Sequence, residues 1–359
     1  MTTHKRLMSF LFVILTGCLT VSYTAPASAK TKSPKPDLLA NGEKQRVEYA
    51  KMLSELEAQI AAELPAVDTQ KKAAFETARA ELGALKAPRE DDGQAVHKAY
   101  QTAKPLAEAK ALDSARPLLA SDVLDSKLMK AAILRHGTPA GLAEFAQQSD
   151  AHKALLDKLF ADEVLMKQIL RSGGANGGEY GEAMQVYSAI LEASELARKP
   201  GILQRLALGT ALQQPWLDEN KKGSVNGIVF ADHRNPDGQL ARYLHYEQAY
   251  LAKELDPQFK DFNAWECRFI TNDPYTNKEL TWVRSMLRQF RPDHITNPDH
   301  KWRYTRVVKS DLPYTSTRHD DALGLPQQQA LALGGVCGRR AFFGRFVARA
   351  FGIPSRRST

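Results

Sequence analysis

The feature that most constrains the fold is a long stretch, from Asn41 to about Leu112, that is rich in Ala, Glu, Lys and Leu. These residue types form helices readily because they lose little side-chain freedom in a helix. Apolar residues recur there at helical spacing: Met52, Leu53, Leu56, Ile60 and Leu64. Pro65, Pro88 and Pro105 are expected to interrupt successive helices. The stretch predicts a bundle of long helices or an extended helical hairpin.

Helical character continues to residue 215 and includes a faint internal echo. Leu128-Met129-Lys130 resembles Leu165-Met166-Lys167, and each copy runs into a glycine, at Gly137 and at Gly173. The separation matches a helical-hairpin repeat, although two similar helices in one bundle explain it equally well. The sequence therefore predicts a mainly α protein in which residues 41 to 215 form a bundle or helical-hairpin repeats.

The residue composition changes after Trp216, where turn sequences and aromatic residues become frequent. A helix is predicted from Gln239 to about Leu255 within a mixed connecting region, residues 216 to 295. Residues 302 to 308 (WRYTRVV) alternate well enough to predict a strand. Residues 296 to 359 are therefore interpreted as the start of an α+β domain.

The first residues are typical of an export signal. His4-Lys5-Arg6 precedes an apolar run from Leu7 to Leu15, and Ala27-Ser28-Ala29 suits a signal peptidase. Residues 1 to 29 are then a signal peptide and residues 30 to 40 a linker. Alternatively, Leu15-Thr16-Gly17-Cys18 is a lipobox, and Cys18 becomes a lipidated N-terminus. Either route predicts a periplasmic or extracellular protein, attached to a membrane only through its signal or a lipid anchor.

Charge and histidine spacing favour no further ligand class. The chain has 49 Lys and Arg against 41 Asp and Glu, a net charge of +8 that is spread out apart from a C-terminal Arg cluster. Export and this spread argue against nucleic acid as a partner. The nine histidines show no HExxH or similar spacing, so neither a metal nor a cofactor is predicted.

Beyond the leader only Cys267 and Cys337 remain, too few for a disulfide scaffold. Cys267 lacks a preceding glycine turn and is predicted to pack in the core. Gly334-Gly335 predicts a tight turn before a helix from Cys337 to Phe351, which Gly352 should end. Cys337 thus falls in the first turn of a helix, where unpaired N–H groups and the helix dipole favour a thiolate and an oxyanion.

The faces of this helix predict a buried central element. At 100° per residue, Ala341, Gly344 and Ala348 share the face of Cys337, and their small side chains would let a sheet approach. The opposite face is apolar through Phe342, Phe346 and Ala350. Arg345 and Arg349 form a narrow polar strip between the two faces.

The pattern Gly-Gly-Val-Cys, an alanine four residues later, a long apolar helix and the exit Gly-Ile-Pro-Ser-Arg resembles the nucleophile helix of the transglutaminase-like superfamily. The resemblance is confined to the C-terminal part of the chain. It implies a papain-like α+β core in which Cys337 attacks a carboxamide of a protein or peptide, forming a thioester that an amine or water resolves. It also implies an indole oxyanion donor upstream, for which Trp302 is the candidate, although an ordinary strand aromatic explains Trp302 as well.

The sequence departs from the family in one respect. The family's His and Asp follow the cysteine, yet none of the 22 residues after Cys337 is His or Asp. His319, Asp320 and Asp321 precede Cys337, in the wrong order. The sequence is therefore expected to be a transglutaminase-like core truncated after its nucleophile helix, inactive unless a longer frame supplies both residues. The alternative is a non-catalytic exported helical scaffold or binding protein with a degenerate domain.

Overall fold

A computed structural model describes residues 38–63, 68–89, 91–118, 122–213, 224–225, 228–229, 236–272, 275–299, 303–315 and 331–355. These residues are mainly helical, which confirms the predicted class. They form two compact units, the first within residues 50–132 and the second within residues 38–49 and 133–355. The division near residue 132 is not among the boundaries predicted from the sequence.

The first unit contains the later part of α1 (Ala40–Glu63), the whole of α2 (Thr69–Ala84) and α3 (Gln94–Ala115), and the start of α4 (Asp125–Gly137). Asp68 caps α2, because its carboxylate accepts the N–H groups of Gln70 and Lys71 at 2.9 and 3.1 Å. Helices α2 and α3 pack as a hairpin. The side chains buried in this unit include Leu56, Ala78, Ala111, Ala115 and Leu124.

The expected interruption at Pro105 is wrong. Pro105 lies inside α3, which continues to Ala115. A proline in a helix removes the hydrogen bond to the carbonyl four residues earlier, here that of Gln101. Both residues are exposed, so water can satisfy this carbonyl. The helix therefore tolerates the proline without a buried polar group.

The second unit is built from shorter helices. They are α5 (Pro139–Ala146), α6 (Asp150–Ala161), α7 (Glu163–Arg171), α8 (Tyr180–Ala193), α9 (Ile202–Gln213), α10 (Pro236–Leu251), α11 (Ala264–Thr271), α12 (Asn277–Phe290), α13 (Pro292–Ile295), α14 (Val307–Ser310) and α15 (Cys337–Ala350). The predicted helix from Gln239 is α10, which begins and ends slightly earlier.

Helix α9 lies centrally in the second unit and packs against α8, α10 and α11. Gly209 permits the close approach of α11, because a Cβ at this position would lie 2.6 Å from Cys267 Cβ and 2.8 Å from the Ala264 carbonyl oxygen. The two similar segments found in the sequence lie in α4 and α7. The second of these helices stops just before Gly173, whose φ is 86°.

Buried arginines hold helix ends together in the second unit. Arg268 donates to the Gly174 carbonyl, just after the end of α7, at 2.8 Å. It also donates to the Leu212 carbonyl, in the last turn of α9, at 3.1 Å. Arg349 donates to the Asn272 carbonyl at the end of α11. The last carbonyls of a helix lack intrahelical partners and carry partial negative charge. Each guanidinium therefore compensates for its own burial by capping helix ends.

The β structure in the described residues is small. It consists of an antiparallel pair, β1 (Ser224–Val225) and β2 (Ile228–Val229), and a parallel bridge between Tyr314 and Gly335. The papain-like α+β core stays a prediction.

The strand predicted over residues 302 to 308 is wrong for the part that the structure describes. Residues 303–306 form a turn, and Val307 begins α14. Tyr304 has a φ of 62°, in the left-handed region, which is incompatible with a strand. Its hydroxyl donates to Asp256 Oδ2 at 2.7 Å, and its ring stacks on Phe351 with centroids 4.1 Å apart. These long-range contacts override the local alternation.

Candidate active site

A glycine turn positions the start of α15. Gly334 has a φ of 77°, and a Cβ there would lie 2.2 Å from the Pro313 carbonyl oxygen, so the position requires glycine. Gly335 N donates to Pro313 O at 3.0 Å, and Thr315 N donates to Gly335 O at 3.3 Å. The chain is therefore held against residues 313–315 immediately before the cysteine.

Cys337 is the first residue of α15 and is exposed. Val336 precedes it without a side-chain cap, so no cap competes for the first N–H groups of the helix. A Cβ added at Gly338 would meet nothing within 4 Å, which leaves this turn open to an incoming molecule. Within the described residues no side chain forms a hydrogen bond with Cys337 Sγ. The thiol is thus accessible but has no base beside it in this part of the chain.

The other end of α15 is fixed by local and long-range contacts. Gly352 has a φ of 75°, and its N–H donates to Arg349 O at 2.8 Å while Ile353 N donates to Ala348 O at 2.9 Å. This pair of bonds is a Schellman motif, which confirms the predicted stop at Gly352. Asp256 N also donates to the Phe351 carbonyl at 2.9 Å.

The faces of α15 are partly as predicted. Phe343, Phe346 and Val347 are fully buried, so the later turns form a core element. On the face expected to pack against a sheet, burial increases along the helix: Ala341 is exposed and Ala348 is buried. Gly344 packs against α14, where an added Cβ would lie 3.2 Å from Val308 Cγ2. Among the described residues, a short helix rather than a sheet therefore covers this position.

The two cysteines have opposite environments. Cys267 is fully buried against Gly209, and burial raises the pKa of its thiol well above the ordinary value. It packs in the core, as predicted. Both cysteines are free thiols. Cys267 is therefore an internal reference for reactivity measured at Cys337.

Two described histidines lie near residues that contact the last turn of α15. His245 Nε2 accepts from Arg284, at 3.1 Å, and the same guanidinium donates to Ala350 O at 3.0 Å. His294 is buried beside Tyr304, whose backbone N–H donates to His294 O at 2.9 Å. The rise of a helix separates Cys337 from Ala350 by about 20 Å. His245 is therefore too far from Cys337 to act on it directly, and His294 forms no hydrogen bond with the thiol.

Charge at His245 is strongly disfavoured. Burial, together with the nearby guanidinium groups of Arg284 and Arg242, lowers the pKa of His245 to about 3. The neutral ring is the form that can accept from Arg284. This imidazole therefore has a structural role.

Two arginines near the start of α15 lie beside aromatic rings. The Arg340 guanidinium donates to Val308 O at 2.7 Å, and its Cζ lies 6.0 Å from the Tyr314 ring centroid. Arg345 Cζ lies 4.9 Å from the Phe342 ring centroid. In the described part of the chain, neither arginine pairs with a carboxylate. Sequence reasoning treated Arg345 only as part of a polar strip and missed this pairing with Phe342.

Several predicted site residues lie outside the described residues. They are Cys18 and Trp302; the rest of the leader and the rejected candidates His319, Asp320 and Asp321 also lie outside. Over the described ranges, no group of three His, Cys, Asp or Glu side chains could hold a metal ion. A search of the same ranges finds no helix with the length and apolar content needed to cross a membrane.

Comparison of this chain with protein families, with curated proteins and with solved structures finds no match.

Proposed function

We propose that this chain is an exported transglutaminase-like protein in which Cys337 is the nucleophile of an acyl transfer or amide hydrolysis on a protein or peptide. The position of Cys337 carries the proposal, because the exposed thiol begins α15 directly after a left-handed glycine turn. Unpaired N–H groups at a helix start favour a thiolate and can hold the negative oxygen of a tetrahedral intermediate.

In the proposed reaction, the thiolate attacks the carbonyl carbon of a carboxamide. The C–N bond breaks, ammonia leaves after gaining a proton, and a thioester forms on Sγ. An amine or water then attacks the thioester, loses a proton and returns the thiol. Both steps need a group that moves protons. Because the described residues supply no imidazole within hydrogen-bond reach of Cys337, we expect added imidazole to accelerate turnover.

Two further parts of the proposal rest on residues outside the described ranges. Trp302 is proposed as an additional donor to the oxyanion. Export is proposed through cleavage after residue 29 or through lipidation of Cys18. Mass spectrometry of the mature protein should show a start at Lys30 or a diacylated Cys18. An intact Met1 in the cytoplasmic fraction would contradict export.

A non-catalytic exported scaffold is the second candidate. It is favoured by one observation: His245 lies near the C-terminal end of α15, and no described histidine forms a hydrogen bond with the thiol. In that case the helices would bind a partner, and Cys337 would have no chemical role.

Chemical rescue distinguishes the two candidates. The 359-residue chain is incubated with an activated thioester, with and without added imidazole as a proton carrier, and acylation of each cysteine is followed by peptide mass spectrometry. We expect imidazole-dependent acylation at Cys337 and none at Cys267, whose thiol is buried. A Cys337→Ser variant should lose the signal.

The scaffold is supported instead if Cys337 is acylated no faster than the free thiol of a denatured reference peptide with the same sequence. A folded control is needed for this comparison, so Cys267 should stay unlabelled in the same sample.

A further inference from the structure

We infer that residues 303–315 form a strap over the first half of α15 and that this strap releases in mild acid, when the buried imidazole of His294 gains a proton. Release frees the glycine turn before Cys337, so the device would regulate the part of the molecule that the proposed function uses. The inference does not itself rest on the proposed function, because it concerns the fold and is tested without acyl transfer.

The strap contacts α15 and the turn that precedes this helix. Arg340 donates to Val308 O at 2.7 Å, and Gly344 packs against the side chain of the same valine. Farther along the strap, Pro313 O accepts from Gly335 N at 3.0 Å. The strap therefore holds the glycine turn and the first half of α15 together.

The strap depends in turn on Tyr304, which has a strained backbone. Its φ of 62° lies in the left-handed region, which a residue with a side chain adopts only where other contacts compensate. The Tyr304 hydroxyl donates to Asp256, and its ring stacks on Phe351. Its backbone N–H donates to His294 O at 2.9 Å. The strained residue is thus bonded directly to the residue that carries the buried imidazole.

The imidazole of His294 has no hydrogen bond of its own. The side chain is fully buried, and neither ring nitrogen has a hydrogen-bond partner in the described part of the chain. Buried polar groups are nearly always hydrogen-bonded. Nε2 lies 3.4 Å from Asp293 Oδ2, but this carboxylate is 60% exposed and also pairs with Arg291 at 3.2 Å. A positive charge on the ring therefore receives little compensation for its burial.

The sign of the pH effect follows from this environment. Burial has the largest influence and lowers the pKa of His294. Arg291 on the same helix and Arg306 in the strap also lower it, whereas Asp293 and Asp311 raise it. An imidazole released from the fold has a pKa of about 6.5. The open strap therefore binds more protons as the pH falls below that value, and the closed strap loses stability.

Two ion pairs border α13 and the strap. Helix α12 packs against α13, and Arg288 in its last turn pairs with Glu254 at 2.9 Å. Within the strap, Arg303 pairs with Asp256 at 3.1 Å. Each carboxylate already has an arginine partner, so neither offers an unpaired charge to a protonated imidazole.

The first test measures hydrogen exchange of the 359-residue chain at pH 7.5 and at pH 5, corrected for the intrinsic pH dependence of amide exchange. The chain carries His245→Gln, because the pKa of His245 is also lowered by burial. Opening of residues 303–315 and 331–345 should increase by up to about thirtyfold, since an imidazole with a pKa of about 6.5 carries a proton about 30 times more often than not at pH 5. Peptides from α9 should show no such increase.

The matched variant adds His294→Leu. It should protect the strap as well as the parent chain does at pH 7.5, because the imidazole nitrogens have no partners to lose. It should also abolish the increase at pH 5. His294→Gln, which stays polar but does not titrate, gives the same test if leucine disturbs the packing. His97→Gln removes a histidine from the first unit and should leave the increase unchanged.

The second test follows His294 itself by NMR of chains with isotope-labelled histidine, in which the signal missing from His294→Leu identifies the ring. Its titration midpoint should lie below about 6.5.

Four results would overturn the inference. They are an unchanged strap at pH 5, an equal increase in α9, a titration midpoint at or above that of a free imidazole, and an open strap beside a turn that keeps its protection. None of them bears on acylation of Cys337, so the strap and the proposed reaction fail independently.

Discussion

The first unit buries mostly alanine methyl groups, whereas the second unit buries whole aromatic rings and guanidinium groups. Ala78, Ala111 and Ala115 are among the least exposed side chains of the first unit. In the second, Tyr246, Phe343 and Arg242 have no exposed surface. Burying a large apolar side chain contributes about 1.5 to 3 kcal/mol, while one methyl group contributes about 0.8 kcal/mol. The comparison indicates that local helix propensity supports the first unit and that specific packing supports the second.

The largest expected effect removes a buried carboxylate from the second unit. Asp256 accepts from Tyr304 OH at 2.7 Å, Arg303 at 3.1 Å and Gln258 N at 2.8 Å. Asp256→Ala should lower the free energy of unfolding of this unit by about 3 to 5 kcal/mol, because it leaves these partners unpaired. Hydrogen exchange of peptides from each unit would measure the change.

The matched variant in the first unit is Glu81→Ala. Glu81 pairs with Lys110 at 2.6 Å, but both side chains are about half exposed. Exposed pairs contribute roughly 0 to 1 kcal/mol, so the loss should fall in that range. Similar losses for Asp256→Ala and Glu81→Ala would contradict the difference between the units.

A change in pH should act on the second unit through His245. The pKa of His245 is lowered to about 3 in the folded chain, whereas an unfolded histidine has a pKa of about 6.5. The unfolded state therefore binds more protons as the pH falls below 6.5, and the folded state loses stability. Between pH 7 and pH 4.5 we expect this one group to contribute at most about 2 to 3 kcal/mol.

His245→Gln isolates that contribution. Glutamine can still accept from Arg284 but does not titrate. The pH dependence of hydrogen exchange in the second unit should be shallower in this variant than in the original chain. Identical slopes would show that His245 does not carry the effect, whatever the carboxylates contribute.

Glycine substitutions should have opposite signs in the two units. Gly209→Ala places a Cβ 2.8 Å from the Ala264 carbonyl oxygen, and such overpacking costs typically about 1 to 3 kcal/mol. Gly83 is exposed in α2, and a Cβ there would meet nothing within 4 Å. Gly83→Ala should therefore stabilise the first unit by about 0.5 to 1 kcal/mol. Unfolding of each variant, followed by exchange of peptides from α2 and α9, checks both signs.

The smallest expected effect concerns an apolar side chain of α3. Leu106 is 67% exposed, so Leu106→Ala should change the stability of the first unit by no more than about 0.5 kcal/mol. A loss of 2 kcal/mol or more would mean that Leu106 makes a stabilising contact. The first unit would then also depend on specific packing, and the difference between the two units would be smaller.

The parts predicted well from sequence are those set by neighbouring residues. The bounds of α15 follow from Gly334, Gly335 and Gly352, whose backbone requirements are local. Tyr304 was misjudged because its conformation depends on Asp256, 48 residues away in the chain. The burial of Arg268 was invisible for a similar reason, since its acceptors come from α7 and α9.

The candidate site was predicted less completely than the helix that bears it. The position of Cys337 at a helix start follows from the glycine turn, whereas its exposure does not follow from the sequence pattern, which predicted a buried element. The neutral partners of Arg340 and Arg345 depend on α14 and on ring geometry, which charge counting does not reveal. Pro105 was predicted wrongly for a different reason. Proline is expected to interrupt a helix, but α3 tolerates it because water can reach the carbonyl that loses its hydrogen bond.

The unequal anchoring of α15 has an evolutionary consequence. The Schellman motif, the stacked Phe351 and the bond from Asp256 all secure the last turn, while Cys337 and Ala341 are exposed in the first. Selection for folding therefore acts on the last turn of the helix and on the glycine turn before it, and it constrains the exposed positions of the first turn less. Descendants of this chain could exchange the cysteine, or alter the residues around it, and still inherit the same scaffold.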